Sequence, residues 1–230
     1  MRPMLITFSG LDGSGKTTQI ANLRSVLSSL GQRSTLLTFW DNVVVGARYR
    51  EGFVHKVYKS ERGVGKPGRP VARRDKNVRR WYLTVLRHGL YLLDALHLRF
   101  VVARARRAPR TNDVVIFDRY IYDELANLPL RNGFTRAYVR FIAAIVPQPD
   151  LAYLLDVDPE AAVQRKPEYP VNFMRDCRAA YMDLAGQLGT ITVIPTVSLP
   201  QAKQAVVDAL FAALAERKRD AETKGLEPAA

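Results

Sequence analysis

Eight consecutive residues, Gly10-Leu11-Asp12-Gly13-Ser14-Gly15-Lys16-Thr17, carry the spacing G-x-x-x-x-G-K-[ST]. Gly10, Gly13 and Gly15 let the backbone turn tightly, so successive N–H groups, that of Ser14 among them, can point at one phosphate. A helix starting at Lys16-Thr17-Thr18 adds its positive N-terminal end. Lys16 has the reach for β- and γ-phosphates, and the Thr17 hydroxyl can ligate Mg²⁺. The run before it, Met4-Leu5-Ile6-Thr7-Phe8, is short, apolar and β-prone. The run after it has Ile20, Leu23, Val26, Leu27 and Leu30 at helical spacing. Strand, loop and helix in that order point to a nucleoside triphosphate with magnesium. They do not separate a kinase from a GTPase or a mechanical ATPase.

A second carboxylate and a guanidinium come after a buried-type strand, Asp113-Val114-Val115-Ile116-Phe117, as Asp118-Arg119-Tyr120. In open α/β sheets ligands sit at the carboxyl ends of strands. Asp118 is therefore placed to meet Mg²⁺, and Arg119 to clamp a phosphate with its planar fork. A third group is Leu155-Asp156-Val157-Asp158-Pro159-Glu160 with Arg165 and Lys166 after it, and Arg175 and Arg178 beyond. A closing loop that carries arginines over the phosphates excludes water and stabilises transferring charge.

The elements that must hold these groups alternate strand and helix. That predicts an α/β fold of the P-loop NTPase type: a five-stranded parallel sheet flanked by helices on both faces, with a short lid. Strands are expected over 4–8, 34–40, 113–117, 151–156 and 190–194. Helices are expected over 16–30, 77–107, 121–128, 134–146, from Pro159, 172–188 and 200–217. One kinase-type domain over 1–218 would carry a basic insert at 46–80 and a lid at about 165–173, and residues 219–230 would fray.

A chain of 230 residues, 47% apolar, suffices for one large core. No run of eighteen apolar residues suggests a membrane span. The chain enters its first strand without a charged-then-apolar leader, and its single cysteine, Cys177, has no internal disulfide partner. Both fit a cytoplasmic protein. The net charge is +13, and residues 46–80 hold twelve Lys and Arg against three acids. Such a block attracts polyanions or is a plain solvated loop. No Asn-Lys-x-Asp guanine-reading segment is present, which disfavours a GTPase.

With these residues in view, the chain resembles the thymidylate kinase-like family of P-loop nucleoside and nucleotide kinases. The resemblance rests on Phe8 to Gln19, on Phe117-Asp118-Arg119-Tyr120, and on Leu155 to Glu160 with Arg165. It runs from residue 4 to about 215. It implies transfer of the ATP γ-phosphoryl group to a nucleoside monophosphate, dTMP by family, with Mg²⁺ and a closing lid. The implied roles are ATP phosphates on Gly10, Gly13, Ser14, Gly15, Lys16, Thr17 and Thr18, and Mg²⁺ on Thr17 and Asp118. Asp12 would face the acceptor, Arg119 would hold the acceptor phosphate, and Arg165 would be the lid arginine. A homodimer through helices flanking the sheet is also implied.

Departures fall on the acceptor side. Asp41 to Gly46 and the basic stretch replace the family's Arg-Glu-Pro-Gly-Gly-Thr-like segment. Leu93, Leu96 and His97 stand where the family places a base-stacking aromatic and an Asp-Arg pair. Asp123 stands for a serine, and Ala126-Asn127-Leu128 for Ala-Tyr-Gln. Two further functions stay open: a kinase of another small acceptor, such as a nucleoside or sugar, and a nucleotide-binding switch or nucleic-acid-associated P-loop protein.

Overall fold

A computed structural model describes residues 2–46, 81–107, 113–196 and 198–225. Most of the basic stretch, residues 47–80, lies outside the described residues, and with it positions 77–80 of the expected long helix. Five strands form one parallel sheet: β1 (Met4–Gly10), β2 (Ser34–Thr38), β3 (Val114–Asp118), β4 (Leu151–Asp156) and β5 (Thr192–Pro195), in the order β2-β3-β1-β4-β5. β1 sits in the middle, with Phe8 opposite Asp118 on one side and Gly10 opposite Leu155 on the other. The chain runs to one side of β1 for β2 and β3, then to the other for β4 and β5. A crevice therefore opens beyond the carboxyl ends of these strands.

Alternation along the central strands splits the core in two. Leu5, Val115 and Phe117 face a cluster with α3 (Trp81–Arg106), α4 (Ile121–Leu125), α5 (Gly133–Ile145) and α7 (Val171–Leu188). Met4, Ile6, Phe8 and Ile116 face the opposite cluster with α1 (Lys16–Ser29) and α8 (Leu199–Gly225). β1 and β3 are sealed on both faces, which is why they read as continuous apolar runs. A smaller cluster of Leu11, Val157, Ala162, Tyr169 and Met174 lies under the turn between α6 (Pro159–Arg165) and α7.

Several boundaries differ from those the sequence predicts. β2 ends at Thr38 rather than residue 40, because Asp41 and Asn42 capture Thr38. The Thr38 N–H donates to Asn42 Oδ1 at 2.8 Å and its hydroxyl to Asp41 Oδ2 at 2.5 Å, starting the short helix α2 (Phe39–Asn42). Gly189, at φ 66°, ends α7 and delays β5 to Thr192. The last helix extends beyond residue 217, to Gly225.

The apolar stripe of α3 is not core. Leu86, Leu93, Leu96 and Phe100 point outward, Leu93 at 51% and Phe100 at 60% exposure, while Tyr91, Asp94, Ala95, Leu98 and Val102 pack inward. The inner face includes a small residue and a buried carboxylate that accepts from Val45 N–H at 3.0 Å, so apolar periodicity alone selects the wrong side. His97 is tied to the Val43 carbonyl at 2.7 Å, which makes it a structural histidine.

Ile116 is fully buried at the centre of β3. Ile116→Ala is expected to cost about 2–5 kcal/mol of stability. Denaturant unfolding with an unchanged m-value checks it, and a loss below about 0.5 kcal/mol would contradict this core assignment.

Candidate functional site

The phosphate loop is shaped by two close backbone approaches. Gly10 has φ 137°, and a Cβ there would stand 2.6 Å from the Leu155 carbonyl oxygen. Gly13 has φ 83°, and a Cβ there would stand 2.6 Å from the Ala162 carbonyl oxygen. The loop thus lies flat against β4 on one side and α6 on the other. Gly15, in the left-handed region, is the N-cap of α1 and turns the chain directly into that helix.

Lys16 folds back into this loop. Its Nζ donates to the carbonyls of Gly10 at 2.9 Å and Leu11 at 2.8 Å. Burial, and after it the charge of Arg119, lowers its pKa to about 8, while Asp12, Asp123 and Asp118 pull the other way. Thr17 and Thr18 at the helix start are exposed, whereas the Ser14 hydroxyl is buried without a hydrogen-bond partner.

Asp118 ends β3 beside β1, and its Oδ1 is buried with no hydrogen-bond partner. It contributes to the field at both Lys16 and Arg119. An orphaned carboxylate oxygen and a threonine hydroxyl open to solvent are the donor types that suit a hard cation taking its other ligands from phosphates and water. Among the described residues, no group of three or more His, Cys, Asp or Glu could hold a metal by itself.

Arg119 does not stand free, as its place in the sequence would suggest. Its φ of 66° is the one positive value among described non-glycine residues. Its Nη2 donates to Asp12 Oδ1 at 2.5 Å and its Nη1 to Asp123 Oδ1 at 3.2 Å. Burial opposes its charge, but Asp123, Tyr181, Asp12 and Asp118 more than offset this and hold the guanidinium protonated. Sequence reasoning marks Asp123 only as a departure from a serine. The signal available is its position four residues after Arg119, the spacing of a helical ion pair. Ser9 and Tyr181, which also bind Asp123, carry no local signal.

Of the arginines on the third group, Arg165 alone reaches the loop, with Nη1 3.4 Å from the Gly13 carbonyl. Arg178 instead makes a two-pronged pair with Asp156 at 2.6 and 2.7 Å, and Arg175 pairs with Glu160 and Asn172. These two brace α7 against β4 and α6. Asp158 caps α6 by accepting from Ala161 N–H. The site thus gathers Asp12, Lys16, Thr17, Asp118, Arg119 and Arg165 at the carboxyl edge of β1 and β3.

Gly13→Ala forces a side chain into the Ala162 carbonyl at a backbone angle that alanine avoids. It is expected to weaken ATP binding by about 10-fold or more and to lower Tm by several degrees. Titration calorimetry with nucleotide checks it, and unchanged affinity would mean that the loop is not held against α6.

No family model matches the chain. The thymidylate kinase of Bifidobacterium longum subsp. infantis is 28% identical to it over 195 residues, 80% of this chain and 75% of the relative. The probable thymidylate kinase of Archaeoglobus fulgidus is 26% identical over 212 residues, 88% of this chain and 92% of the relative. In fold, the chain is similar to the crystal structure of thymidylate kinase from Ehrlichia chaffeensis, with a TM-score of 0.53 at 20% identity. That match covers 91% of this chain and 99% of the other. With the phosphate loop, the Asp118-Arg119 strand end and Arg165 on one crevice, the chain is similar over most of its length to thymidylate kinases and has a P-loop NTPase fold like theirs.

Proposed function

We propose that this chain is an ATP- and Mg²⁺-dependent nucleoside monophosphate kinase with dTMP as acceptor, acting as a single domain over 1–218 in the cytoplasm. The observation that carries the reading is the convergence of two phosphate-handling groups on one crevice. The loop ending in Lys16 faces the donor, and Arg119 stands just beyond the end of β3, its N–H on the Phe8 carbonyl of β1. A switch protein needs only the first of these. The curated relatives named above are thymidylate kinases, which favours dTMP over a nucleoside or a sugar.

In this reading the loop amides from Gly10 to Thr18 and Lys16 hold the ATP phosphates. Lys16 trades its two carbonyl contacts for phosphate oxygens, and their charge raises its pKa again. Thr17 and Asp118 would hold Mg²⁺, which supplies charge neutralisation across the phosphates. Arg119 holds the acceptor phosphate, and Asp12 sits beside it toward the acceptor. The acceptor oxygen attacks in line, and no covalent enzyme intermediate is needed. Arg165, at the edge of the 165–173 lid, swings from the Gly13 carbonyl to the transferring group, where charge spreads in the transition state.

The exposed stripe of Leu86, Leu93, Leu96 and Phe100 on α3 supports a homodimer through that helix. Sedimentation equilibrium should then return about twice the chain mass of 25.9 kDa, and a monomer at micromolar concentration would refute the pairing. Polyanion binding by the basic stretch 46–80 is a proposal carried by its charge alone.

ATP consumption by the full chain with Mg²⁺, measured against dTMP, dUMP, other nucleoside monophosphates, nucleosides and sugars, tests the reading. Turnover with dTMP that Lys16→Ala abolishes is expected. Arg165→Ala should lower kcat by about 10²-fold or more while leaving KM for ATP within about two-fold, because its charge acts in the transition state. Activity confined to a nucleoside or sugar would move the acceptor class, and silence across the panel would return the chain to the switch reading.

A further inference from the structure

The most buried carboxylate at the site is not one of the residues that phosphate chemistry singles out. Asp123, near the start of α4, has a side chain only 5% exposed and yet carries four donors. Its Oδ2 accepts from Ser9 Oγ at 2.6 Å and from Tyr120 N–H at 3.0 Å. Its Oδ1 accepts from Tyr181 Oη at 2.7 Å and from Arg119 Nη1 at 3.2 Å. Four donors fill the lone-pair sites of a carboxylate. They come from β1, from the β3–α4 turn and from α7, so this one side chain ties together the strand before the phosphate loop, the acceptor arginine and the helix after the lid.

The two carboxylates on Arg119 differ in kind. Asp12 is 28% exposed and lies on the loop, at the open end of the guanidinium. Asp123 lies at the closed end, where solvent does not reach. A phosphate entering the crevice can displace Asp12 from Nη2, but it cannot displace Asp123 without unpacking β1 and α7. Arg119 also begins from a left-handed backbone angle, which a non-glycine residue adopts only when its surroundings hold it. The Tyr120 N–H to Asp123 bond closes the turn immediately after that residue.

We propose that Asp123 is a positioning residue for phosphoryl transfer. It fixes one edge of the Arg119 guanidinium so that the other edge exchanges Asp12 for the acceptor phosphate. The assignment of the exchanging partner rests on the kinase reading above, whereas the fixed edge does not. Ser9 and Tyr181 act through Asp123 by holding its two oxygens. A serine at this position, as the resembling family has, offers no charge to Arg119, so the anchored edge belongs to this chain.

The test is Asp123→Asn, which keeps the shape and removes the charge, with Ser9→Ala and Tyr181→Phe, which keep the charge and remove one donor each. With dTMP and Mg-ATP, Asp123→Asn should lower kcat by about 10- to 100-fold, as for a displaced catalytic contact, with KM for ATP unchanged within two-fold. The two donor variants should fall between it and the wild type. A purely structural role would lower Tm and leave the kcat of the folded fraction intact, which would overturn the proposal. A second readout does not depend on turnover. The guanidinium NMR signals of Arg119, assigned by their loss in Arg119→Lys, should show restricted rotation in the ligand-free wild type and free rotation in Asp123→Asn. Identical spectra would overturn the proposal. A wild type inactive on dTMP would sink the acceptor reading instead, and the spectra would then decide the positioning role alone.

Discussion

A guanidinium sunk at the mouth of a parallel sheet has to be neutralised, and the layout of this site is set by how that is done for Arg119. Burial works against its charge, and the carboxylates of Asp123, Asp12 and Asp118 restore it. One partner comes from the phosphate loop, one from α4 and one from β3 itself. Bringing them together requires β1 and β3 to be neighbours with Phe8 opposite Asp118, as the register has it. Lys16 lies in the same field: burial, and after it the charge of Arg119, lowers its pKa. Lys16 and Arg119 thus lie within each other's field at the mouth of the sheet.

The phosphate loop imposes the second constraint. Side chains are excluded at Gly10 by β4 and at Gly13 by α6. The loop cannot keep its shape unless α6 stays seated, and α6 is fixed by its Asp158 cap and by the Glu160–Arg175 pair. Arg178 locks α7 onto the end of β4 through Asp156. Two of the four cations read from sequence as phosphate-facing are therefore bracing groups. That frees Arg165, which has only a long contact with Gly13, as the one of the three arginines with reach to the phosphates.

The donor half is legible in the sequence because it is local. Eight contiguous residues between an apolar run and an amphipathic one define it, and Asp118-Arg119 stands at the end of a strand apolar enough to be central. Sheet class and element order come from the same alternation. The illegible part is non-local. The pairs Ser9–Asp123 and Tyr181–Asp123 join residues 114 and 58 positions apart, and no spacing rule reaches that far. Which face of α3 packs is illegible for a related reason: an exposed heptad-like stripe of large apolar residues gives a stronger periodic signal than the Tyr91, Asp94, Ala95 and Leu98 face that actually packs. The end of β2 is hidden because Thr38, Asp41 and Asn42 make a side-chain cap where hydrophobicity continues through Phe39 and Trp40.

If the loop and Arg119 hold two phosphorylated molecules for direct transfer between them, phosphorus-31 NMR of the full chain with Mg-ATP and dTMP should show it without a coupled assay. ADP and dTDP are expected to appear together in equal amounts, with no lag and no release of inorganic phosphate. ADP with inorganic phosphate alone, or an unchanged spectrum at micromolar enzyme, would contradict it.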